Sequence, residues 1–249
     1  MGGCAISLLA INSSQRNFEL NAIEDIQAID NITTERSQQE QKAILRSRQS
    51  AVNVMSMAVD SPVVSSASGT YLTLEGKYYI LTVNHTLVGP CESVRIAVDD
   101  ELYDCLRYVV VDPYVDYALI QVEEIVERVP LRMPRSMPRN NEWDHEIATQ
   151  TQIFYTGYPN GLGPLTFDGT IIGHDELENI FIHSFAWPGS SGGGVFNERG
   201  KFIGYAMAIN IGVTEYGIDV LEDIVIVVPL FRIDWQEIDQ EVKIDDEQE

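Results

Sequence analysis

Three short strings carry side chains that together could activate a nucleophile. TVNH ends at His85, DYAL begins at Asp116, and GSSGGG holds Ser190 and Ser191. A serine hydroxyl is a weak nucleophile at neutral pH. It needs a base to take its proton and an acid to orient that base. Histidine, aspartate and serine in this order would supply that set, and the chemistry would be acyl transfer, with peptide hydrolysis the leading case. Each string alone is weak. A His after an apolar strand is ordinarily a strand-end residue, an Asp before Ala-Leu-Ile ordinarily a strand cap, and a Gly-Ser-Gly-Gly run can be a plain turn. What points to chemistry is their joint placement, each where a strand ends or a tight turn begins. Asp112 is a rival acid, but it precedes a proline in VDPY and reads as a turn starter. Asp116 heads the apolar strand YALIQV instead.

Strands must carry these residues. YYILTV, YALIQV, FIGYAMAI and IVIVVPL are short apolar runs, separated by Gly, Pro, Asn and Asp turn signals. They predict an all-β fold. The 249 residues, 45% of them hydrophobic, suffice for two small barrels that bury a sizeable core. Around them the sequence predicts three accessory segments. Residues 1–49 read as a helical extension, with Phe18, Leu20, Ile23, Ile26 and Ile29 near a helical period and a polar run from Glu35 to Gln49. Its role could be packing, oligomerisation or control of the site. Residues 128–145 carry four arginines and three prolines between Arg128 and Pro138–Arg139, and read as an extended linker between the halves. The alternative is an exposed site for self-cleavage or partner docking. Residues 234–249 read as a solvated, frayed acidic tail.

Composition narrows the partners. The net charge of −22, from 16 basic and 38 acidic residues, repels phosphate backbones and speaks against nucleic acid. No apolar run is long enough to span a bilayer. MGGCAISLLAI lacks the basic start of a secretory signal, and Ile6 stands where the myristoylation pattern on Gly2 wants Ser or Thr. The odd set Cys4, Cys91 and Cys105 demands no disulfide, although Cys91 and Cys105 could approach each other in the first barrel. These features predict a cytoplasmic protein. No His/Cys spacing reads as a zinc site, so neither metal nor cofactor is expected.

Longer stretches around the three strings resemble a known family. SASGTYLTLEGKYYILTVNHTLVG resembles the first half of a trypsin-like (chymotrypsin-fold) serine protease, in the pattern of the HtrA-type (Deg-type) catalytic domain. VVVDPYVDYALIQVEE is similar to that branch's aspartate strand, IFYTGYPNGLG to its glycine-rich turn, and FIHSFAWPGSSGGGVFNERGKFIGYAMAI to its nucleophile loop and following hairpin. The likeness runs from about residue 50 to about residue 232. It implies two six-stranded antiparallel Greek-key barrels, residues 50–127 with His85 and Asp116, and residues 146–233 with Ser191. The family's nucleophile precedes Gly-Gly, which selects Ser191 over Ser190. The oxyanion hole would come from the turn Gly189, Ser190 and Ser191, chiefly the N–H groups of Gly189 and Ser191. Phe185, Ala186, Met207, Ala208 and Ile209 would line an uncharged pocket that takes small or medium apolar side chains.

Departures from the family matter as well. The digestive branch has Asp before its nucleophile, to pair with a freshly cut N-terminus. Here that residue is Ser190, and no Ile-Val-Gly-Gly-type start opens the domain. The enzyme would be active as made, or switched by a partner or by formation of a homo-oligomer. The tail is too short for a peptide-binding PDZ domain. His183, in IFIHSF, reads as a strand histidine, with recognition of an acidic substrate side chain as the sharper alternative. The resemblance therefore implies a serine endopeptidase acting on protein or peptide, a dedicated processing or regulatory enzyme. The competing reading is a silent protease-like binding module, against which the intact His85, Asp116 and Ser191 set argues. An esterase of the G-x-S-x-G type would place its His last in the chain, and here it comes first.

Overall fold

The computed structural model describes residues 37–59, 62–133, 141–214 and 217–246. Side chains of residues 141–142, 208–222 and 244–246 are likewise left undescribed. A helix α1 (Gln38–Ser50) leads into the first sheet, formed by β1 (Ala51–Met57), β2 (Val64–Leu74), β3 (Lys77–Thr82), β4 (Val94–Val98), β5 (Glu101–Asp104), β6 (Arg107–Asp112), β7 (Tyr117–Val122) and β8 (Leu131–Arg132). A short helix α2 (Asn141–Glu146) precedes the second, formed by β9 (Gln152–Gly157), β10 (Leu165–His174), β11 (Ile180–Ser184), β12 (Gly194–Asn197), β13 (Phe202–Thr214) and β14 (Gly217–Pro229). Helix α3 (Trp235–Asp246) follows.

The all-β double-barrel expectation holds, and the two halves close differently. The second is a closed barrel in the order β10-β11-β14-β13-β12-β9. The first is a curled sheet in the order β5-β4-β1-β2-β3-β7-β6, with β8 parallel to β2, and its ends β5 and β6 are not paired. Strand β5 is short and largely exposed, so it has little apolar face with which to drive closure. The Cys91–Cys105 disulfide, with Cα atoms 5.3 Å apart, ties the β5–β6 connection to the turn before β4. The sequence demanded no such bond; proximity across the folded sheet supplies it.

Tyrosines dominate the largest buried side chains: Tyr71, Tyr79, Tyr117, Tyr155 and Tyr205 are fully buried. Each carries a hydroxyl that needs a partner in the core. The Tyr71 hydroxyl accepts from the Ile125 N–H at 2.9 Å. Tyr205, on β13, donates to the Val115 carbonyl at 2.9 Å and so bolts the second barrel to the loop that presents Asp116. Burial pushes the Tyr71 phenol up to about 12.

Helix α1 begins with a capping box. The Ser37 hydroxyl accepts from the Glu40 N–H at 3.2 Å, and the Ser37 N–H donates to the Glu40 carboxylate at 2.7 Å. Its last turns bind the second barrel, through Ser47 to Thr156 Oγ1 at 2.7 Å and Arg48 to Thr166 Oγ1 at 2.9 Å. The helical reading of the extension is met over Gln38–Ser50; residues 1–36, with Gly2, Cys4 and the Phe18–Ile29 stripe, lie outside the described residues.

Two accessory segments differ from expectation. The linker is packed at both described ends. Arg128 is almost wholly buried, its guanidinium bonded to both Asp99 carboxylate oxygens at 3.1 Å, to the Ala51 carbonyl at 2.9 Å and to the Tyr158 hydroxyl at 3.3 Å. Leu131 pairs with Leu72, and Trp143 of α2 is buried. Residues 134–140 lie outside the described residues. The supposed frayed tail is helix α3, packed against β6 of the first barrel. Asp234 caps it, accepting from the Gln236 and Glu237 N–H groups at 3.0 Å each. Trp235, Ile238 and Val242 are buried at i, i+3 and i+7. Net acidity hid that stripe. No helix among the described residues is long and apolar enough to cross a membrane.

Candidate active site

Antiparallel pairing of β3 with β7 sets Thr82 opposite Ala118. The residues just past the end of β3 therefore meet those just before β7. His85 is three residues beyond Thr82, and Asp116 precedes Tyr117. The Asn84 N–H reaches the Asp116 carbonyl at 3.4 Å. Asp116 adopts a left-handed φ of 64°, which Asp tolerates better than most residues and which turns its carboxylate back toward the histidine. One oxygen accepts the His85 backbone N–H at 2.9 Å, and the other lies 2.6 Å from His85 Nδ1. The carboxylate thus holds the Nδ1 side of the ring, and Nε2 lies on the other edge of a half-exposed ring. Asp112 has the other role foreseen for it: its Oδ1 accepts from the Tyr114 and Val115 N–H groups at 2.7 and 2.9 Å and holds the loop that leads to Asp116.

Ser191 stands in the turn before β12, on the second barrel. Its carbonyl accepts from the Ser68 N–H of β2 at 2.7 Å, and the Ser68 carbonyl accepts from the Thr82 hydroxyl at 2.7 Å. Two hydrogen bonds thus tie the Ser191 backbone to Thr82 at the end of β3, three residues before His85. Among the described residues the Ser191 hydroxyl donates no hydrogen bond. The structure pairs His85 with Asp116 directly, and ties the Ser191 backbone to Ser68 of β2.

Groups outside the turn hold its peptide planes. The Pro188 carbonyl accepts from the Asn160 N–H at 2.7 Å. In a trans peptide the N–H points opposite to the carbonyl, so the Gly189 N–H faces away from Asn160. Among the described residues the Gly189 and Ser191 N–H groups have no protein acceptor. Ser190 is different, and its place among the oxyanion donors is corrected: its N–H donates to the Trp187 carbonyl at 2.9 Å. Its buried hydroxyl accepts from the Trp187 N–H at 3.3 Å, so Ser190 closes the loop internally. Gly189 has φ of 98°, and a Cβ there would meet the Tyr158 carbonyl at 2.6 Å. Only glycine fits.

Of the expected pocket residues, Phe185 is half-exposed, Ala186 buried and Met207 partly exposed. Ala208 and Ile209 lie on β13, with side chains outside the described set. An aromatic row that was not foreseen runs beside the turn: Tyr155 stacks on Phe167 at 5.1 Å, Phe167 lies 6.2 Å from Phe185, and Phe185 lies 5.5 Å from Trp187. The AW pair before Pro188 was its only trace in the sequence. The Tyr155 hydroxyl donates to the Phe185 carbonyl. His183 opens onto a groove of about 350 Å³ shared with Asp168, Phe185 and Asp223, and its Nε2 lies 3.7 Å from the Asp223 carboxylate. Two carboxylates give that groove the wrong sign for an acidic substrate side chain. His145 and His174 touch none of these groups, and among the described residues no cluster of His, Cys, Asp and Glu could hold a metal ion.

Comparison with known proteins agrees with this geometry. A family model described as a trypsin-like peptidase domain matches residues 67–204, which include His85, Asp116 and Ser191. The fold is similar to that of a serine endoprotease from Yersinia pestis, with 20% identity and a TM-score of 0.58, over 78% of this chain and 64% of that one. It is also similar to the HtrA-type protease AlgW with tripeptide, with 21% identity and a TM-score of 0.56, over 77% of this chain and 60% of that one. The chain thus spans less than two thirds of the length of either. No curated protein sequence matches it.

Proposed function

The chain belongs to the trypsin-like peptidase family, and from that premise we propose that it is a serine endopeptidase whose reacting groups are Ser191, His85 and Asp116. The observation that carries this reading is the two-point grip of Asp116 on His85, at 2.9 Å on the backbone N–H and 2.6 Å on Nδ1. It favours the tautomer in which Nε2 takes a proton.

The Ser191 hydroxyl attacks the scissile carbonyl and passes its proton to His85 Nε2. The developing oxyanion receives the N–H groups of Gly189 and Ser191, which need no reorganisation at that moment. His85 then protonates the leaving amine as the C–N bond breaks, and an acyl ester on Ser191 remains. Water enters, His85 accepts its proton, and the resulting tetrahedral species expels Ser191 with the proton returned from His85. Asp116 stabilises the imidazolium throughout.

Phe185, Ala186 and Met207 favour a small or medium apolar side chain before the cut. Ser190 engages Trp187 rather than a new N-terminus, which supports a site that is active as made, with no activating cut. The Cys91–Cys105 bond favours an oxidising compartment over the cytoplasmic location expected from sequence. The substrate is a protein or peptide.

Labelling of the purified chain by a fluorophosphonate probe tests the reading, with Ser191→Ala and His85→Ala as controls. Labelling lost in both variants supports it. A wild-type chain that neither labels nor cleaves peptides favours a silent binding module.

A further inference from the structure

Ser68 lies on β2 of the first barrel and is fully buried. Its N–H and carbonyl already connect Ser191 to Thr82. Its hydroxyl does something separate. It accepts from the Tyr158 N–H at 2.8 Å and donates to the Gly189 carbonyl at 2.7 Å. Both partners are backbone groups of the second barrel, on the two sides of the oxyanion turn.

Two successive peptides of that turn are thereby held from outside it. The Pro188 carbonyl is held by the Asn160 N–H, in the segment that Ser68 anchors at Tyr158. The Gly189 carbonyl is held by Ser68 itself. The second plane turns the Ser190 N–H the opposite way, to Trp187, and the first turns the Gly189 N–H away from Asn160, with no protein acceptor among the described residues. We propose that the Ser68 hydroxyl is a positioning residue: by bridging the Tyr158 N–H and the Gly189 carbonyl it holds the oxyanion turn in its donating arrangement. The inference rests on the peptidase reading above. Serine suits the position because one short side chain must accept and donate at once. Space is tight, since a Cβ on Gly157 would come within 2.7 Å of the Ser68 oxygen. Alanine would leave two backbone groups unpaired in a buried place.

The test uses the full chain with Ser68→Ala, the near-isosteric Ser68→Cys, and Ser66→Ala as control. The Ser66 hydroxyl donates to Asn53 Oδ1 at 2.9 Å, and among the described residues it has no hydrogen bond to the turn. Three quantities are read: kcat and KM on an apolar peptide substrate, affinity for a peptide boronate that mimics the tetrahedral state, and affinity for the cleaved product peptide. Loss of an oxyanion donor costs about 10²–10³ in kcat, and a misaimed one should cost about 10–100-fold. That loss should fall on kcat and equally on the boronate, with KM and the product peptide within about twofold of wild type. Ser66→Ala should match wild type. Unchanged kcat in both Ser68 variants overturns the proposal. So does equal weakening of boronate and product peptide, which would mark a purely structural role. Should Ser68→Ala not fold, Ser68→Cys decides alone. A wild-type chain that neither cleaves nor labels sinks the peptidase reading, and this inference with it. A wild-type chain that cleaves, with Ser68 variants that cleave as well, sinks this inference only.

Discussion

The two barrels bring their halves of the site into order by different physics. On the first, a charged side chain holds another side chain: the Asp116 carboxylate grips His85 at two points. On the second, the parts that matter are peptide groups. The carbonyls of Pro188, Gly189 and Ser190 are pinned by Asn160, Ser68 and Gly193, and the Gly189 and Ser191 N–H groups have no protein acceptor among the described residues. The first arrangement is short in sequence and strong in charge. The second draws on Ser68, 121 positions from Gly189, as well as on the nearer Asn160. A base can be tuned by one carboxylate, whereas an oxyanion hole needs several atoms aimed together, and only a surrounding shell can aim them.

The largest effects should separate the two halves by their signature. Ser191→Ala should remove about 10⁶ in kcat, as loss of a triad nucleophile does, and Asp116→Asn about 10⁴, because the histidine then loses its useful tautomer. Steady-state kinetics over a pH series checks both. An Asp116→Asn variant with wild-type kcat would break the assignment of Asp116 to His85.

Gly189→Ala addresses the other half. The added Cβ meets the Tyr158 carbonyl at 2.6 Å in a left-handed backbone. The peptide should rotate and the donor should be lost, at about 10²–10³ in kcat with the pH profile retained. Full activity in this variant would mean that the turn is not held as described.

Stability variants sharpen the comparison at the level of scaffolding. Helix α3 leaves the second barrel and packs on the first, so its anchor serves both. Trp235→Ala removes a buried indole that donates to the Leu230 carbonyl at 2.6 Å, and should cost about 3–5 kcal/mol in chemical denaturation. A loss below about 1 kcal/mol would mean that the tail is as dispensable as its acidity suggests. Reducing Cys91–Cys105 acts on the first barrel alone. The bond closes a loop with a sequence separation of 14, worth about 3 kcal/mol in the chain-entropy account. Reduced protein should melt earlier while the Gly189 half stays intact, readable as retained boronate affinity below the melting range.

The trypsin-like family was legible in sequence because the strings that carry the resemblance sit at strand ends and turns with local signatures. His85, Asp116 and Ser191 each stand beside a recognisable apolar run or glycine cluster. The double barrel was legible for the same reason. What was missed depends on distance. Ser68 has no local mark, since its hydroxyl acquires meaning only when Gly189, 121 positions away, folds against it. Ser190 was counted among the donors because composition cannot tell which way a peptide plane faces. The stripe of Trp235, Ile238 and Val242 obeys a helical period, yet the surrounding acids drew the reading toward a solvated tail. Arg128 was assigned to a spacer by its proline-rich neighbours, and the Asp99 carboxylate that buries it lies 29 positions earlier.

The smallest effect concerns the buried phenols. Tyr71, in the first barrel, is fully buried and its pKa is pushed up to about 12 by desolvation. In the unfolded chain a tyrosine titrates near 10. Below that pH the phenol is neutral in both states and its contribution to stability is fully present. As pH rises from about 10 to about 12 the unfolded chain loses the proton first, so the folded state is progressively disfavoured. Tyr103 behaves alike for a different reason: its hydroxyl donates to the Glu127 carboxylate, whose charge opposes a second negative charge and lifts the phenol to about 12. Tyr103 is the surface member of the pair, and solvent screens it. Denaturation midpoints should therefore be flat up to about pH 9.5 and fall steeply above it. Tyr103→Phe should leave that fall nearly unchanged, because the buried phenols of Tyr71, Tyr117, Tyr155, Tyr158 and Tyr205, all pushed up by desolvation, carry it together. An equally steep fall lost in Tyr103→Phe would place the alkaline weakness on the surface of the first barrel rather than in its core.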